Sequence, residues 1–265
     1  MTDQLFSVQD QVVVVSGGSR GIGHAIAGGF AERGARVVIT GRHAEPLENA
    51  ASSISHDTNT VRPLVCDVSQ PTDIDRLVDA VMQDYGHVDT LVNVAGVNRR
   101  KPALDLTESD YDFILDINLK GAFLLSQQFG RHMVQRGSGS QINIASINTD
   151  RPLKDVLPYA MSKAGIAQMT RGLAVEWGGS GVRVNALAPG FVLTDLTRKL
   201  WSDETMMAWG QENTPQRRLG RPEQMVGTAI FLASAASAFL TGQVLYVDGG
   251  FTTGWNWPIP AGGGQ

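Results

Sequence analysis

Tyr159 and Lys163 lie four residues apart, and on a helix this spacing places two side chains one turn apart on the same face. A free tyrosine has a pKa of about 10, and an ammonium ~5 Å away at an effective dielectric of about 20 is worth ~3 kcal/mol. We therefore expect Lys163 to lower the pKa of the Tyr159 phenol by a little over about two units, before any penalty from desolvation. Such a phenol could give a proton to a carbonyl oxygen, or take one from an alcohol, near neutral pH.

Ser146 ends the run from Gln141 to Ser146, which is typical of a short buried strand. A hydroxyl at a strand end could hydrogen-bond the same substrate oxygen as Tyr159. The alternative is that Tyr159 and Lys163 form an ordinary half-exposed helix pair, because this spacing is common by chance. The motifs around the pair decide between these interpretations.

A glycine-rich turn follows the first apolar run. The Val-rich stretch from Gln11 to Ser16 is typical of a strand buried on both faces of a parallel sheet. Gly17, Gly21 and Gly23 come directly after it and open a helical stretch. Gly17 permits a tight turn, while Gly21 and Gly23 allow backbone N–H groups and the helix N-terminus to approach a pyrophosphate. Strand, glycine turn and helix in this order predict a dinucleotide-binding site.

The end of the second predicted strand bears on the choice of dinucleotide. A carboxylate at this place binds the ribose 2′-hydroxyl of NAD, but the sequence has Gly41 there, followed by Arg42. With Arg20 in the glycine turn, two guanidinium groups suit a 2′-phosphate. NADP(H) is therefore favoured, and NAD(H) is the alternative if both arginines are solvated surface residues.

Strand and helix patterns alternate along the whole chain. This alternation predicts an α/β fold: a doubly wound, Rossmann-type parallel sheet of about seven strands with helices on both faces. We expect residues 1–265 to form a single domain, with a substrate lid at about 191–218 and an irregular tail at 249–265. The lid contains Trp201 and Trp209, for which plain helix packing is the alternative. The tail contains Trp255 and Trp257.

Other polar residues stand where ligands bind in such folds. Asp67 follows the third strand, where a carboxylate could meet the adenine amino group. Asn118 lies in the middle of a predicted helix from Tyr111 to Arg136 and needs a partner for its amide. Residues 98–101, with three cations in succession just after the fourth strand, could face an anionic substrate or form a solvated loop or a subunit contact.

Composition narrows the function classes. A net charge of −4 gives no reason to expect nucleic acid or an anionic membrane as partner. Cys66 is the lone cysteine, which fits a reducing compartment. Residues 1–10 show no secretory pattern, no apolar run is long enough to span a membrane, and no His or carboxylate cluster suggests a metal. We expect a cytoplasmic protein with a small-molecule partner.

Taken together, these motifs resemble the short-chain dehydrogenase/reductase family over essentially the whole chain. Two departures are Ser16, where threonine is usual, and Val94, where asparagine or alanine is more common. The residues that carry the resemblance are Gly17, Gly21, Ile22, Gly23, Asp67, Asn93 to Gly96, Asn118, Ser146, Tyr159, Lys163, Pro189, Gly190 and Asp248 to Gly250.

The resemblance implies roles for individual residues. Tyr159 would be the general acid/base, and Lys163 would lower its pKa and hold the nicotinamide ribose. Ser146 would orient the substrate oxygen, Asn118 would hold a water in a proton relay, and Thr194 would bind the nicotinamide carboxamide. The family also commonly assembles as a homotetramer. The implied cofactor-binding residues are Gly17, Ser19, Arg20, Gly21, Ile22, Gly23, Arg42, Asp67, Val68, Asn93, Ala95, Gly96, Tyr159, Lys163, Pro189, Gly190, Val192 and Thr194.

The substrate is less determined. The stretches 98–100 and 216–222 are similar to those of gluconate 5-dehydrogenases and related sugar-acid dehydrogenases, which suggests hydride transfer between NADP(H) and a sugar or sugar acid. Carrier-protein-linked 3-oxoacyl reductases share much of the pattern, and the apolar lid would also suit a general ketone reductase. The rival from another class is a non-catalytic, dinucleotide-sensing regulator, which could dispense with Ser146, Tyr159 or Lys163.

Overall fold

The computed structural model describes residues 4–55 and 60–254. Seven parallel strands form one sheet in the order β3-β2-β1-β4-β5-β6-β7, which confirms the predicted doubly wound fold. The strands are β1 Val12–Ser16, β2 Arg36–Gly41, β3 Val61–Val65, β4 Thr90–Asn93, β5 Gly139–Ile144, β6 Val182–Pro189 and β7 Val244–Val247.

Helices cover both faces of this sheet. None of those within residues 4–55 and 60–254 is long and apolar enough to cross a membrane. The α-helices are α1 Gly21–Ala31, α2 Ala44–Ile54, α3 Pro71–Tyr85, α4 Glu108–Leu115, α5 Gly121–Arg136, α6 Leu157–Trp177, α7 Arg198–Trp201, α8 Glu204–Asn213 and α9 Val226–Ala233.

Strand β1 shows why the sheet is buried on both sides. Val13 and Val15 pack in an apolar cluster with side chains of α1, α2 and α9. Val12 and Val14 point to the opposite face and pack with side chains of α3, α5 and α6. Because successive side chains of a strand alternate between faces, an uninterrupted run of valines is the sequence that this central position requires.

The carboxyl ends of β1 and β4 lie side by side at the point where the strand order reverses, and ligands bind in such a crevice. Gly17 has a φ of +70°, and a Cβ there would lie 2.8 Å from the Ala95 nitrogen. The Ser16 hydroxyl accepts hydrogen bonds from the Val94 and Ala95 N–H groups at 3.1 and 3.3 Å. Serine at position 16 therefore fastens the glycine turn to the loop after β4.

Two predicted boundaries differ from the structure. Strand β5 ends at Ile144, so Ser146 lies just beyond the strand. The predicted helix Tyr111–Arg136 begins earlier, at Glu108, because the Thr107 hydroxyl caps it by accepting from the Asp110 N–H. A π-turn at Asp116–Lys120 then separates α4 from α5. Of the predicted tail, residues 255–265, with Trp255 and Trp257, lie outside the described residues.

The contact between α1 and α9 can be tested with adjacent glycines. A Cβ at Gly29 would lie 2.2 Å from Cγ1 of Val226, whereas a Cβ at Gly28 would meet Ile54 at 4.0 Å. We expect Gly29→Ala to lower the free energy of unfolding by about 1–2 kcal/mol, because overpacking outweighs the gain in helix propensity. Gly28→Ala, the control, should be neutral or stabilising by up to about 1 kcal/mol. Urea unfolding measures both; equal stability of the two variants would contradict this packing.

Candidate active site

Ser146, Tyr159 and Lys163 come together beyond the end of β5. Helix α6 begins at Leu157 with Pro158 in its first turn, a position that proline favours, so Tyr159 and Lys163 lie on its first two turns. The Lys163 Nζ donates a hydrogen bond of 2.7 Å to the Ile144 carbonyl and lies 5.6 Å from the centre of the Tyr159 ring. The last carbonyl of the strand thus fixes the position of the lysine beside the phenol.

The electrostatics of the pair differ from the sequence-based expectation. Burial raises the pKa of Tyr159, while the Ser146 hydroxyl and the charge of Arg100 act in the opposite direction. Burial also lowers the pKa of Lys163 to about 8. The net pKa of the phenol is raised because desolvation, which the sequence-based figure left out, is the largest influence on both groups. An ammonium has three N–H donors, so Lys163 keeps donors beyond the one on Ile144.

Asn148 controls the orientation of the Ser146 hydroxyl. The Ser146 Oγ accepts from the backbone N–H of Asn148 at 3.1 Å and from its side-chain amide at 3.4 Å. With both lone pairs engaged, the hydroxyl proton is left to donate toward Tyr159 or a substrate oxygen. Asn148 is itself buried and accepts from the Leu153 N–H at 3.0 Å. The sequence analysis did not identify Asn148. The available signal was a polar residue two positions after Ser146 and directly after an apolar residue.

Asn118 has the partners that its buried position required. Its Oδ1 accepts from the Val97 N–H at 2.8 Å, and its Nδ2 donates to the Val97 carbonyl at 2.9 Å and to the Ser162 hydroxyl at 3.1 Å. The side chain therefore ties the π-turn to the loop after β4 and to α6. These bonds already use both polar atoms of the side-chain amide. That Asn118 holds a water in a proton relay therefore stays a prediction.

The glycine turn faces the segment that follows β6. Gly21 has a φ of +57°, and a Cβ there would lie 3.6 Å from the Thr194 side chain. A Cβ at Gly23 would lie 2.2 Å from the Gly17 carbonyl, so the start of α1 folds closely on the turn. The Thr194 hydroxyl lies 3.2 Å from that of Thr197. These residues form a cradle of backbone and small side chains that fits a dinucleotide pyrophosphate.

The cations expected to select NADP(H) are available. Arg20 and Arg42 are exposed, and neither makes an ion pair with a residue in 4–55 or 60–254. A Cβ at Gly41 would lie 3.8 Å from the Ser19 hydroxyl, so Ser19 stands beside the end of β2. The absence of a side chain at Gly41 leaves room between these groups for a phosphate.

Other predicted cofactor residues make hydrogen bonds or close contacts that hold the elements around the crevice together. The Asn93 Nδ2 donates to the side chains of Ser126 and Asn143, each at 2.9 Å, so this side chain fastens the sheet to α5. The Asp67 carboxylate accepts from the Ser69 N–H at 3.0 Å. A Cβ at Gly190 would lie 2.6 Å from the Cα of Asp248. Val68 and Val192 are buried, and Ala95 and Gly96 lie in the loop after β4.

The basic stretch after β4 divides its side chains between two environments. Arg99 and Lys101 bind Asp110 at 2.9 and 2.6 Å, and these cations hold the pKa of that buried carboxyl well below its usual range. Arg100, between them, is exposed and lines a cavity with Ser146 and Tyr159. Lys101 also contributes to the lining of this cavity. The sequence analysis did not identify Asp110. The available signal was its position three residues after Thr107, the spacing at which a capping threonine and an acidic residue bond to each other's backbone.

The cavity unites the predicted catalytic, cofactor and lid residues. It has a volume of about 670 Å³, ample for a small substrate beside the nicotinamide end of a cofactor. Helices α7 and α8 of the predicted lid close one side of it with mostly apolar side chains. The lining includes Ile22, Asn98, Arg100, Ser146, Lys154, Tyr159, Pro189, Gly190, Phe191, Val192, Thr194, Leu196, Leu200, Trp201, Met206 and Trp209.

Known proteins share this architecture along nearly the whole chain. Residues 17–252 match the family model described as enoyl-(acyl carrier protein) reductase. Gluconate 5-dehydrogenase of Gluconobacter oxydans is 39% identical over 251 residues, covering 94% of this chain and 97% of that protein. 5-Keto-D-gluconate 5-reductase of Escherichia coli is 36% identical over 248 residues, covering 94% and 98%.

A solved structure shows the same likeness. The gluconate 5-dehydrogenase of Burkholderia cenocepacia, crystallised with NADP and tartrate, superimposes with a TM-score of 0.91 at 35% identity and covers 95% of this chain and 98% of its own. Sequence, fold and the Ser146–Tyr159–Lys163 arrangement agree, and this protein belongs to the short-chain dehydrogenase/reductase family.

Proposed function

We propose that this protein transfers a hydride between NADP(H) and a keto or hydroxyl group of a sugar acid. The observation that carries the proposal is the cavity in which Ser146 and Tyr159 meet the predicted cofactor residues, with the Arg100 guanidinium on its wall. The nicotinamide supplies or accepts the hydride when bound. Relatives named for gluconate and 5-keto-gluconate support the sugar-acid class.

The chain's own groups handle the proton. In reduction, the Tyr159 phenol gives its proton to the carbonyl oxygen, and the Ser146 hydroxyl, oriented by Asn148, donates to the same oxygen. In oxidation, Tyr159 as phenolate takes the proton of the alcohol. Lys163, held by the Ile144 carbonyl, would bind the nicotinamide ribose with its remaining N–H donors. Burial raises the phenol pKa, so that Tyr159 carries the proton that reduction requires.

Arg100 is the proposed counter-ion for the substrate carboxylate. Its neighbours Arg99 and Lys101 are held by Asp110, which leaves Arg100, together with Lys154, as the cations that line the cavity without such a partner. The second candidate is a 3-oxoacyl-carrier-protein or general ketone reductase. The apolar lining from the segment 191–218, which we propose acts as the lid, favours that candidate.

NADP(H) is the proposed cofactor. Arg20 and Arg42 flank the position where a ribose-binding carboxylate would stand, and Gly41 occupies it. Structures of relatives that carry NADP support this choice. A relative named NAD-dependent glycerol dehydrogenase keeps NAD(H) as the alternative.

We also propose a homotetramer in the cytoplasm. Large apolar side chains stand exposed on the described surface, including Tyr111, Phe123, Val175 and Phe239, and such surface is commonly covered by another subunit. Cys66, the single cysteine of the chain, is a buried free thiol, which fits a reducing compartment. Sedimentation velocity would show the assembly, and cell fractionation would show the compartment.

Tyr159→Phe tests the catalytic assignment. We expect the rate of ketone reduction to fall by about 10²–10⁴-fold, because the variant cannot supply the proton. NADPH binding, measured by fluorescence, should stay within about twofold because the ring is kept. Tyr111→Phe, on an exposed face of α4, should keep wild-type turnover. Turnover of Tyr159→Phe within tenfold of wild type, with NADPH bound, would refute the role of the phenol.

Arg42→Ala and Arg20→Ala test the cofactor assignment. Each should weaken NADPH binding about tenfold or more, the loss of a charge-assisted hydrogen bond, and should change NADH binding far less. Arg131→Ala, an exposed arginine on α5, is the control and should leave both affinities unchanged. Equal binding of NADH and NADPH by the wild-type protein would overturn the assignment of both arginines.

Arg100→Ala tests the carboxylate site and has a pH signature. The KM for 5-keto-D-gluconate should rise about tenfold through loss of the ion pair. Because the Arg100 charge lowers the Tyr159 pKa, its removal disfavours the phenolate, and the rise of D-gluconate oxidation with pH should move to higher pH. Arg151→Ala, exposed outside the cavity, should change neither. An unshifted pH profile and KM would exclude Arg100 from the site.

A further inference from the structure

Four aromatic rings form one cluster on the apolar side of the cavity. The centroid of the Phe191 ring lies 5.1 Å from that of Trp201 and 5.6 Å from that of Trp209. Phe251 adds the fourth ring, 4.7 Å from Phe191 and 6.3 Å from Trp209. All of these pairs meet edge to face, an arrangement that aromatic rings favour. Phe191, Trp201 and Trp209 line the cavity and Phe251 does not, so Phe251 supports rings of the cavity wall without belonging to the wall.

The turn that follows β7 fixes the position of Phe251. The Asp248 carboxylate accepts hydrogen bonds from the Gly250 N–H at 2.9 Å and from the Thr252 N–H and hydroxyl at 2.8 and 2.7 Å. The Phe251 N–H donates to the Asp248 carbonyl at 3.3 Å. Gly249 and Gly250 have φ values of +65° and +92°, which glycine adopts without strain. Because β7 belongs to the sheet, this turn holds the Phe251 ring at a fixed place relative to the sheet.

The same turn packs against the chain that leaves α8. The Gln216 N–H donates to the Gly249 carbonyl at 3.1 Å. A Cβ at Gly249 would lie 2.7 Å from Cγ2 of Thr214, and a Cβ at Gly250 would lie 2.9 Å from Cγ of Pro215. The turn and residues 214–216 therefore form one closely packed unit, which holds the C-terminal end of α8.

Few buried side chains hold the helices on this side of the cavity. Trp201 is the buried residue of α7, and Gly210 is that of α8. A Cβ at Gly210 would lie 2.9 Å from Cζ3 of Trp201, so these two residues pack on each other. Elements with few buried contacts open locally at a low cost in free energy. The contacts of Trp209 with Phe191 and Phe251 therefore contribute a large share of what keeps α8 in place.

We propose that Phe251 is a positioning residue for substrate binding. Its ring keeps Phe191 and Trp209, and with them α8, in the place that closes the apolar side of the cavity. Loss of this ring frees α8 to move away from the cavity and leaves the hydrogen bonds of Ser146 and Lys163 intact. This inference rests on the proposed function and deepens it, because it identifies a residue that acts on substrate binding through the cavity wall.

Limited digestion with trypsin measures the opening of α7 and α8 without any substrate. Arg198 and Lys199 of α7 are exposed, and cleavage after them follows local opening of the helix. We expect Phe251→Ala to raise the rate of cleavage at these two sites, identified by mass spectrometry, about tenfold, because an aromatic pair is lost. Phe6→Ala is the matched control, since Phe6 makes a ring contact with Phe231 at 6.4 Å outside the cavity lining. It should leave this rate within about twofold of wild type.

Reduction of 5-keto-D-gluconate at saturating NADPH measures the effect on the substrate. Phe251→Ala should raise KM about tenfold and keep kcat within about threefold of wild type, the pattern of binding lost equally from the ground state and the transition state. Phe251→Leu keeps an apolar side chain at this position and should raise both KM and the cleavage rate only about threefold. Phe6→Ala should change neither kinetic constant. Thermal unfolding verifies that each variant is folded.

The two measurements distinguish this inference from the function on which it rests. An unchanged cleavage rate or an unchanged KM in Phe251→Ala, or the same faster cleavage in Phe6→Ala, overturns the inference and leaves sugar-acid reduction intact. If Phe251→Ala does not fold, Phe251→Leu decides, and wild-type values in that variant overturn the inference. A wild-type protein that does not reduce 5-keto-D-gluconate contradicts the proposed function, and the cleavage rates then decide whether Phe251 holds α8.

Discussion

The burial of an ammonium beside a phenol is the constraint on which the site depends. Lys163 is 4% exposed, and burial pulls its pKa down to about 8 while it pushes that of Tyr159 up. Charged groups leave water at a high cost unless they are paired. The Ile144 carbonyl at the end of β5 accepts from Lys163 and compensates part of this cost. The sheet thus holds the lysine in place, and the phenol is kept protonated by its surroundings rather than ionised by its neighbour.

A second layer of polar contacts orients the groups around Tyr159 and Lys163. Asn148 occupies the acceptor capacity of the Ser146 hydroxyl, so that the hydroxyl proton is left free to be donated. Asn118 joins the π-turn to the loop after β4 and to α6. Each of these side chains acts through another group, because each fixes the position of a loop or a hydroxyl at the candidate site. π-Turns within α-helices are frequent at functional sites, and here the π-turn brings Asn118 to that junction.

The cavity has a polar end and an apolar side. Arg100 supplies a charge at one wall, and the helices α7 and α8 supply Leu200, Met206 and Trp209 at another. Apolar walls alone discriminate weakly between ligands, whereas unpaired hydrogen-bonding groups discriminate strongly. The Arg100 guanidinium therefore carries more information about a ligand than the larger apolar area around it.

Local patterns in the sequence were enough to predict the parallel sheet, the glycine turn and the pairing of Tyr159 with Lys163. The reason is physical: buried strands need continuous apolar runs, and tight turns at φ above zero need glycine, as Val12–Ser16 and Gly17 show. Helical spacing likewise places two residues four apart on one face. These requirements act over a few residues, so they are visible in the sequence itself.

Other properties depended on which distant residues meet. Desolvation, and not the sequence neighbour, governs the pKa of Tyr159, and desolvation is set by the layers packed around it. The basic stretch after β4 looks like three equivalent cations in the sequence, but in the structure Asp110 pairs with Arg99 and Lys101 and not with Arg100. The sequence by itself determined the fold and the placement of Tyr159 beside Lys163, because local sterics and periodicity decide them. Tertiary structure alone decided charge, orientation and available donors, because those depend on burial and on partners far apart in the chain.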